Sequence, residues 1–105
     1  MSQTQTATAR IATRRAERLG KQLVSHWGRH ADEVTHGEKT ATMVFTATER
    51  WPASTVRVAM TDSTLTVSVT ADGGRALQEN CDSLADHLHR FAGAREQLDI
   101  GWVRE

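Results

Sequence analysis

The sequence has a single cysteine, a single proline and no excess of charge of either sign. Cys81 alone can form neither an intrachain disulfide nor a multi-cysteine zinc site. Thirteen Lys and Arg balance thirteen Asp and Glu, and this zero net charge excludes general electrostatic attraction to nucleic acid or an anionic membrane as the default function. No stretch approaches the roughly 20 apolar residues that span a bilayer. We therefore expect no disulfide, no nucleic-acid partner and no membrane partner.

The length of 105 residues suits one ordinary domain. Residues 1–9 are polar and lack the basic start and apolar run of a secretory signal, so we expect a cytoplasmic protein. The Ser/Thr/Gln-rich residues 1–7 are expected to be a flexible or extended lead-in. Residues 8–105 are expected to form a single α+β domain.

Hydrophobic periodicity predicts the elements of that domain. Strands are predicted at residues 8–13, 41–48, 55–60, 64–70 and 98–102, and helices at residues 14–30 and 75–92. Residues 31–40 are polar and are predicted to form a loop. The resulting order is β-α-β-β-β-α-β, which is typical of an α+β fold with two helices on one face of a mainly antiparallel sheet.

Each predicted helix carries one apolar stripe. The first stripe comprises Ala16, Leu19, Leu23 and Trp27, and the second comprises Leu77, Cys81, Leu84, Leu88 and Phe91. Thr13 is placed to cap the first helix, and Gly93 to end the second. Cys81 lies on its stripe, so we expect a buried, unreactive thiol rather than a nucleophile. Trp51, before the only proline, is predicted to be either an exposed contact or a cap over the end of the sheet.

The histidines of the first helix are the least common feature. His26 and His30 lie four residues apart and extend the line of Leu19 and Leu23, and such a pair can bind one metal ion. His36 could supply a third ligand, and Asp32 or Glu33 a carboxylate ligand. Alternatively, a single axial imidazole beside an apolar wall could hold haem. The alternative is structural: a partly buried histidine donates to a backbone carbonyl, and the helix C-terminus favours its cation.

His87 and His89 flank the second stripe on opposite sides, so they cannot both face one site. We interpret them as residues at the boundary of the buried face.

Two segments resemble the signatures of the bacterial domain-of-unknown-function family 2218. One is Lys21–Trp27; the other is His87–Ala92, followed by residues 95–98 and Trp102. Val24 departs from the family pattern, which has cysteine there, and Arg29 stands where a second histidine is usual. Gly20 replaces a large apolar residue. The resemblance implies a small stand-alone protein of a family sometimes associated with siderophore-interacting or iron-uptake proteins.

The sequence therefore predicts a binding or accessory module. No Ser-His-Asp or paired-carboxylate arrangement can be assembled, so an enzyme with His26 as acid or base ranks last. The candidate ligand-binding residues are Lys21, Ser25, His26, Trp27 and His30, with an iron-related small molecule, a siderophore or haem, as the first ligand to test. The alternative is a protein-interaction domain, such as a homodimer formed through a sheet edge or the threonine-rich sheet face.

Overall fold

The computed structural model describes residues 4–49 and 52–105, and Trp51 lies outside them. Within these residues the order of elements is β-α-β-β-β-β-α-β. The strands are β1 (Thr4–Ala12), β2 (Glu33–His36), β3 (Thr40–Phe45), β4 (Ser54–Met60), β5 (Thr64–Asp72) and β6 (Trp102–Arg104). The helices are α1 (Ala16–Trp27) and α2 (Gly74–Ala92), and a 3-10 turn follows α2 at Gly93–Arg95.

The strands form one antiparallel sheet in the order β2-β3-β4-β5-β1-β6. Its longest pairing joins β1 to β5 over nine residues, from Thr4 opposite Asp72 to Ala12 opposite Thr64. The predicted α+β fold is confirmed. Alternation sends apolar side chains to one face and threonine and serine to the other, where the hydroxyls of Thr8 and Ser68 lie 3.0 Å apart across the strands.

The apolar face of the sheet and both helical stripes form one core. Helix α1 packs against β3, β4 and β5, α2 packs against β5 and β1, and the two helices contact each other. Each fully buried Leu, Ile or Val contributes roughly 1.5–3 kcal/mol of hydrophobic stabilisation. Neither helix is long and apolar enough to span a membrane, within the part of the chain described here. The largest buried side chains are Ile11, Leu19, Leu23, Met43, Leu65, Leu77, Leu84 and Leu88.

The predicted bounds of the first helix, 14 and 30, are wrong at both ends. Thr13 Oγ1 accepts the Arg15 amide at 3.1 Å, which holds a turn before the helix rather than capping its first residue. At the other end, the His30 amide bonds to the carbonyl of Trp27 at 3.0 Å in a tight turn. His30 therefore lies beyond the helix, and its position relative to His26 is not set by helical spacing.

The predicted loop at residues 31–40 contains edge strand β2, which was missed. Its four residues pair with β3, from Glu33 opposite Val44 to His36 opposite Ala41. Only Val34 is half-buried, so the segment lacks the apolar alternation that marks a strand in sequence. Backbone hydrogen bonds form this strand, and they leave no compositional signal.

Both terminal strands also differ from their predicted bounds. The predicted closing strand at 98–102 is displaced toward the C-terminus, because Leu98 packs on the core outside any strand and β6 begins at Trp102. Strand β6 pairs with the middle of β1, residues 7–9. Residues 4–7 of the expected lead-in are extended and belong to β1.

A polar contact ties the start of α1 to the end of α2. Thr13 Oγ1 donates to Glu96 Oε1 at 2.9 Å, and Arg15 Nε donates to the same oxygen at 3.2 Å. The Arg15 guanidinium also donates to the carbonyl of Ala92 at 3.1 Å, at the last residue of α2. These bonds fix the two helices relative to each other at one end of the sheet.

Helix α1 approaches the sheet most closely at Gly20. A Cβ atom there would overlap Met60 Sδ, lie 2.6 Å from Met60 Cγ and come within 3.2 Å of Leu65 Cδ1. Met60 thus occupies the volume that a side chain at position 20 would need. The departure from the family pattern at this position is explained by close helix–sheet packing.

Gly20→Leu should lower the free energy of unfolding by about 1–3 kcal/mol or more, because overpacking forces Met60 or the helix to move. Urea denaturation followed by circular dichroism measures this change. Gly101→Leu is the matched control, since nothing lies within 4 Å of a Cβ at Gly101, and it should change stability by less than about 0.5 kcal/mol. Equal effects of the two substitutions would contradict the packing account.

Candidate functional site

The candidate site is a cleft of about 430 Å³ between the end of α1 and the middle of α2. It lies where β3 ends and β4 begins, so the sheet forms its floor. Trp27 and His30 come from the end of α1 and the turn that follows it. The other lining residues are Asp32, Phe45, Thr46, Thr48, Pro52, Ser54, Glu79, Asn80 and Ser83.

Two aromatic rings form the apolar wall of the cleft. Trp27 and Phe45 meet edge to face, with ring centroids 6.0 Å apart and planes at 89°. Trp27 is the last residue of α1, and Phe45 is the last residue of β3. Both rings are half-buried and pack against the core, so each is held in place and offers a surface to a ligand.

A carboxylate fixes the rim of the cleft beside this wall. Asp32 Oδ2 accepts the Thr46 amide at 2.7 Å and the Thr46 hydroxyl at 2.9 Å. These two hydrogen bonds, the amide first, lower the pKa of Asp32 below its usual range, so the side chain is ionised at neutral pH. The Asp32 amide in turn donates to the carbonyl of Val44 at 2.9 Å. Asp32 thereby joins the segment before β2 to the segment after β3.

Helix α2 supplies the polar side of the cleft. Glu79 is half-buried and accepts from Arg75 Nε at 3.3 Å, and Asn80 donates from its side chain to the carbonyl of Ala76 at 2.9 Å. Ser83 completes this side. Among the described residues that line the cleft there are two carboxylates and one histidine but no lysine or arginine. Glu79 is paired with Arg75, whereas the ionised carboxylate of Asp32 has no cationic partner among the described contacts and favours a cationic or donor-bearing group over an anion.

Behind the cleft wall, five rings form a continuous aromatic row across the two helices. The row comprises Phe45, Trp27, His87, His26 and Phe91. The rings of Trp27 and His87 have centroids 5.8 Å apart, and those of His87 and His26 are 4.9 Å apart. Phe91 meets the rings of both histidines, at 5.8 Å from His26 and 6.1 Å from His87.

The structure separates the five sequence-predicted ligand residues. Trp27 and His30 line the cleft. His26 is exposed and packs against α2 in the aromatic row. Ser25 is exposed on α1 and is not among the lining residues, and Lys21 pairs instead with Glu17 one turn away, with Nζ 2.8 Å from Oε1.

The predicted third metal ligand, His36, lies in edge strand β2 and is exposed. Across residues 4–49 and 52–105, no group of three or more His, Cys, Asp or Glu side chains is arranged to hold a metal ion. Cys81 is buried, as expected, and burial raises the pKa of its thiol to about 11. The thiol is therefore protonated and shielded at neutral pH.

A second hollow, at the start of α1, is more open to solvent. It is lined by residues 12–15 together with Ser63, Arg95 and Glu96. Its central arginine, Arg15, is already engaged by Glu96 and by the carbonyl of Ala92. This hollow is basic and open, and none of the residues that line it has a large apolar side chain.

A comparison of the chain with models of protein families tests the family resemblance of the two signature segments. The match covers residues 8–103 of the chain and is to the family described as an uncharacterised protein conserved in bacteria, DUF2218. The chain belongs to this family. Comparison with the curated proteins returns no match.

A solved structure shares the fold of this DUF2218 protein. The NMR structure of PA4090 from Pseudomonas aeruginosa superposes with a TM-score of 0.71 at 23% sequence identity, over 93% of this chain and 94% of that chain. At this level of identity the likeness establishes the fold alone.

Sequence reasoning missed the partner of His26. His87 follows Leu84 by three residues and precedes Phe91 by four, so it borders the apolar stripe of α2. His26 borders the stripe of α1 in the same way, three residues after Leu23. Two helices that lie side by side on one sheet face bring such borders together. The sequence therefore shows that His26 and His87 each border an apolar stripe. Predicting that the two side chains meet also requires knowing which edges of the two helices face each other.

Asp32→Ala should free the segment that follows β3, because the Thr46 amide and hydroxyl lose their shared acceptor. We expect the Thr46 amide to exchange with solvent much faster, as measured by NMR hydrogen exchange. In the unmodified protein the same loss should occur in acid, as pH falls through the lowered pKa of Asp32.

Asp62→Ala is the control for this prediction, since Asp62 is exposed and makes only a 3.7 Å ion pair with Lys39. Unchanged exchange of Thr46 in Asp32→Ala would contradict the role given to Asp32.

Proposed function

We propose that this DUF2218 protein is a small cytoplasmic accessory module that binds a small molecule in the cleft between α1 and α2. The observation that carries the proposal is the combination of the Trp27–Phe45 wall with the carboxylates of Asp32 and Glu79 in one cleft. An apolar recess with a few fixed polar groups is the usual form of a small-molecule site.

The lining indicates the chemical class of the ligand. A flat or aliphatic body would contact Trp27 and Phe45, and an amine would lie near Asp32 or Glu79. An aromatic wall also stabilises a neighbouring cation by about 0.5–1 kcal/mol at exposed sites. The proposed ligand is therefore a small amine with an apolar body.

The iron-related ligands suggested by the family context differ in how they suit this lining. Haem carries two propionates, which would meet the carboxylates of Asp32 and Glu79. A ferric siderophore with a free amino group presents the complementary charge. Within this group of ligands, the proposal therefore favours an amine-bearing siderophore over haem.

A titration followed by two-dimensional ¹H–¹⁵N NMR tests the proposal. The probes are tryptamine, which is a flat amine, and indole-3-acetate, which has the same ring system with opposite charge. We expect tryptamine to shift the Trp27 indole resonance and the Thr46 amide, and to bind about tenfold more tightly than indole-3-acetate. An amine-bearing ferric siderophore and haem are titrated in the same way.

Variants localise the binding. Trp27→Ala should abolish the shifts, whereas Lys21→Ala should leave them unchanged because Lys21 is exposed and pairs with Glu17 outside the cleft. Equal affinities for the amine and the acid, or shifts centred away from the cleft, would overturn the proposal.

The competing function is a protein-interaction or homodimerisation domain, and one side chain favours it. Val103 lies in edge strand β6, and 68% of its surface is exposed to solvent. Among the described residues it is the one large hydrophobic side chain that is exposed. Sedimentation equilibrium distinguishes the two functions. A mass that rises with concentration and a cleft that binds none of the probes would favour the interaction domain; a constant monomer mass with binding in the cleft would favour the module.

A further inference from the structure

We propose that His26 and His87 together form a binding site for a divalent transition-metal ion on the surface where α1 meets α2. Neither histidine lines the small-molecule cleft, although Trp27 of the cleft wall contacts His87, and the pair differs from the His26–His30–His36 set predicted from the sequence. Its basis is the juxtaposition of two imidazoles from different helices, with ring centroids 4.9 Å apart and planes inclined by 44°.

The separation of the rings matches that of two imidazoles on one metal ion. Metal–nitrogen bonds to histidine are about 2.0–2.1 Å, and a tetrahedral ion holds its ligands near 109°. Adding the distance of about 1.1 Å from nitrogen to ring centre places the two centroids about 5 Å apart. The centroid separation of His26 and His87 therefore fits two imidazoles that share one ion.

The hydrogen bond of His87 prepares the ring for coordination. Its Nδ1 lies 2.7 Å from the carbonyl oxygen of Ser83. Because a carbonyl can only accept, Nδ1 carries the proton, and in the neutral ring Nε2 then holds the lone pair that a metal requires. Histidine ligands in metal sites are commonly oriented by such a bond from the second ring nitrogen.

The surroundings hold the rings but leave the site accessible. Phe91 contacts both imidazoles and Trp27 contacts His87, so the rings are restrained from several sides. His26 is exposed, which gives an ion a path from solvent. No third His, Cys, Asp or Glu completes a ligand group within the described chain, so water or a small ligand would fill the remaining positions. Imidazole donors favour Zn²⁺, Ni²⁺ and Cu²⁺ over Mg²⁺ and Ca²⁺.

Thermal unfolding with Zn²⁺ or Ni²⁺ tests this site. At a metal concentration about a hundredfold above Kd, we expect Tm to rise by about 10 °C or more in a domain of this size. Mg²⁺ at the same concentration should leave Tm unchanged. The rise should be lost in His26→Ala and also in His87→Ala, because a single imidazole binds far more weakly than two.

His89→Ala and His36→Ala are matched controls, since each removes an exposed histidine outside the aromatic row, and both should retain the full rise in Tm. His87→Gln is a second variant that removes the imidazole but keeps a polar side chain of similar size. The ¹H–¹⁵N spectra of His87→Gln and His87→Ala without metal show whether each variant retains the native fold. In the unmodified protein, Zn²⁺ should shift the imidazole ¹⁵N resonances of His26 and His87 together, at one ion per chain. A rise in Tm that survives either single substitution, or that disappears equally in His36→Ala, would overturn the proposal.

Discussion

The arrangement of this protein depends on one constraint: a six-stranded antiparallel sheet has a single apolar face, and two amphipathic helices must share it. The nine-residue pairing of β1 with β5 places the N-terminal strand inside the sheet, so the apolar faces of β1, β3, β4 and β5 form one continuous surface. Helices α1 and α2 both contact β5 and therefore lie side by side. The Thr13–Arg15–Glu96 contact holds them together at one end.

Both the cleft and the contact between His26 and His87 result from this side-by-side packing of the helices. Residues that border the two stripes have to meet along the seam between the helices, and here they are aromatic: Trp27 and His26 from α1 face His87 and Phe91 from α2. Where α1 ends at Trp27, the seam opens into the cleft, and Asp32 fixes its rim through Thr46. Trp27 connects the two features, because its ring contacts Phe45 in the cleft and His87 in the seam.

The elements with strong hydrophobic periodicity could be predicted from sequence. The stripes of both helices, the β4–β5 hairpin and the buried thiol of Cys81 follow from which side chains avoid water. Edge strand β2 could not be predicted in this way, since Val34 is its one partly buried side chain and its stability comes from backbone pairing. The end of α1 at Trp27 could not be predicted either, because His30 follows His26 at helical spacing although residues 28–30 form a turn.

The residues of the candidate site also divide into those that local sequence patterns predict and those that depend on how the helices pack. Trp27 and His30 were identified because they are local features of one helix and its end. Asp32, Glu79 and His87 belong to other segments, and their relation to Trp27 exists only once the helices are placed on the sheet. Ser25 and Lys21 are close to His26 in sequence, but both are exposed on α1 and neither lines the cleft. The spacing of residues in one helix predicts which side chains share a face of that helix. A site between two helices can be predicted only when the packing of the helices is known.

The borders of α1 and α2 meet at His26 and His87, and the carbonyl of Ser83 holds the His87 ring. An NMR spectrum of the metal-free protein that correlates imidazole nitrogens with ring protons tests it directly, together with nuclear Overhauser contacts between the two rings. We expect His87 to be the tautomer protonated at Nδ1, with contacts between the ring protons of His26 and His87. A neutral His87 protonated at Nε2, with no contact to His26, would contradict it.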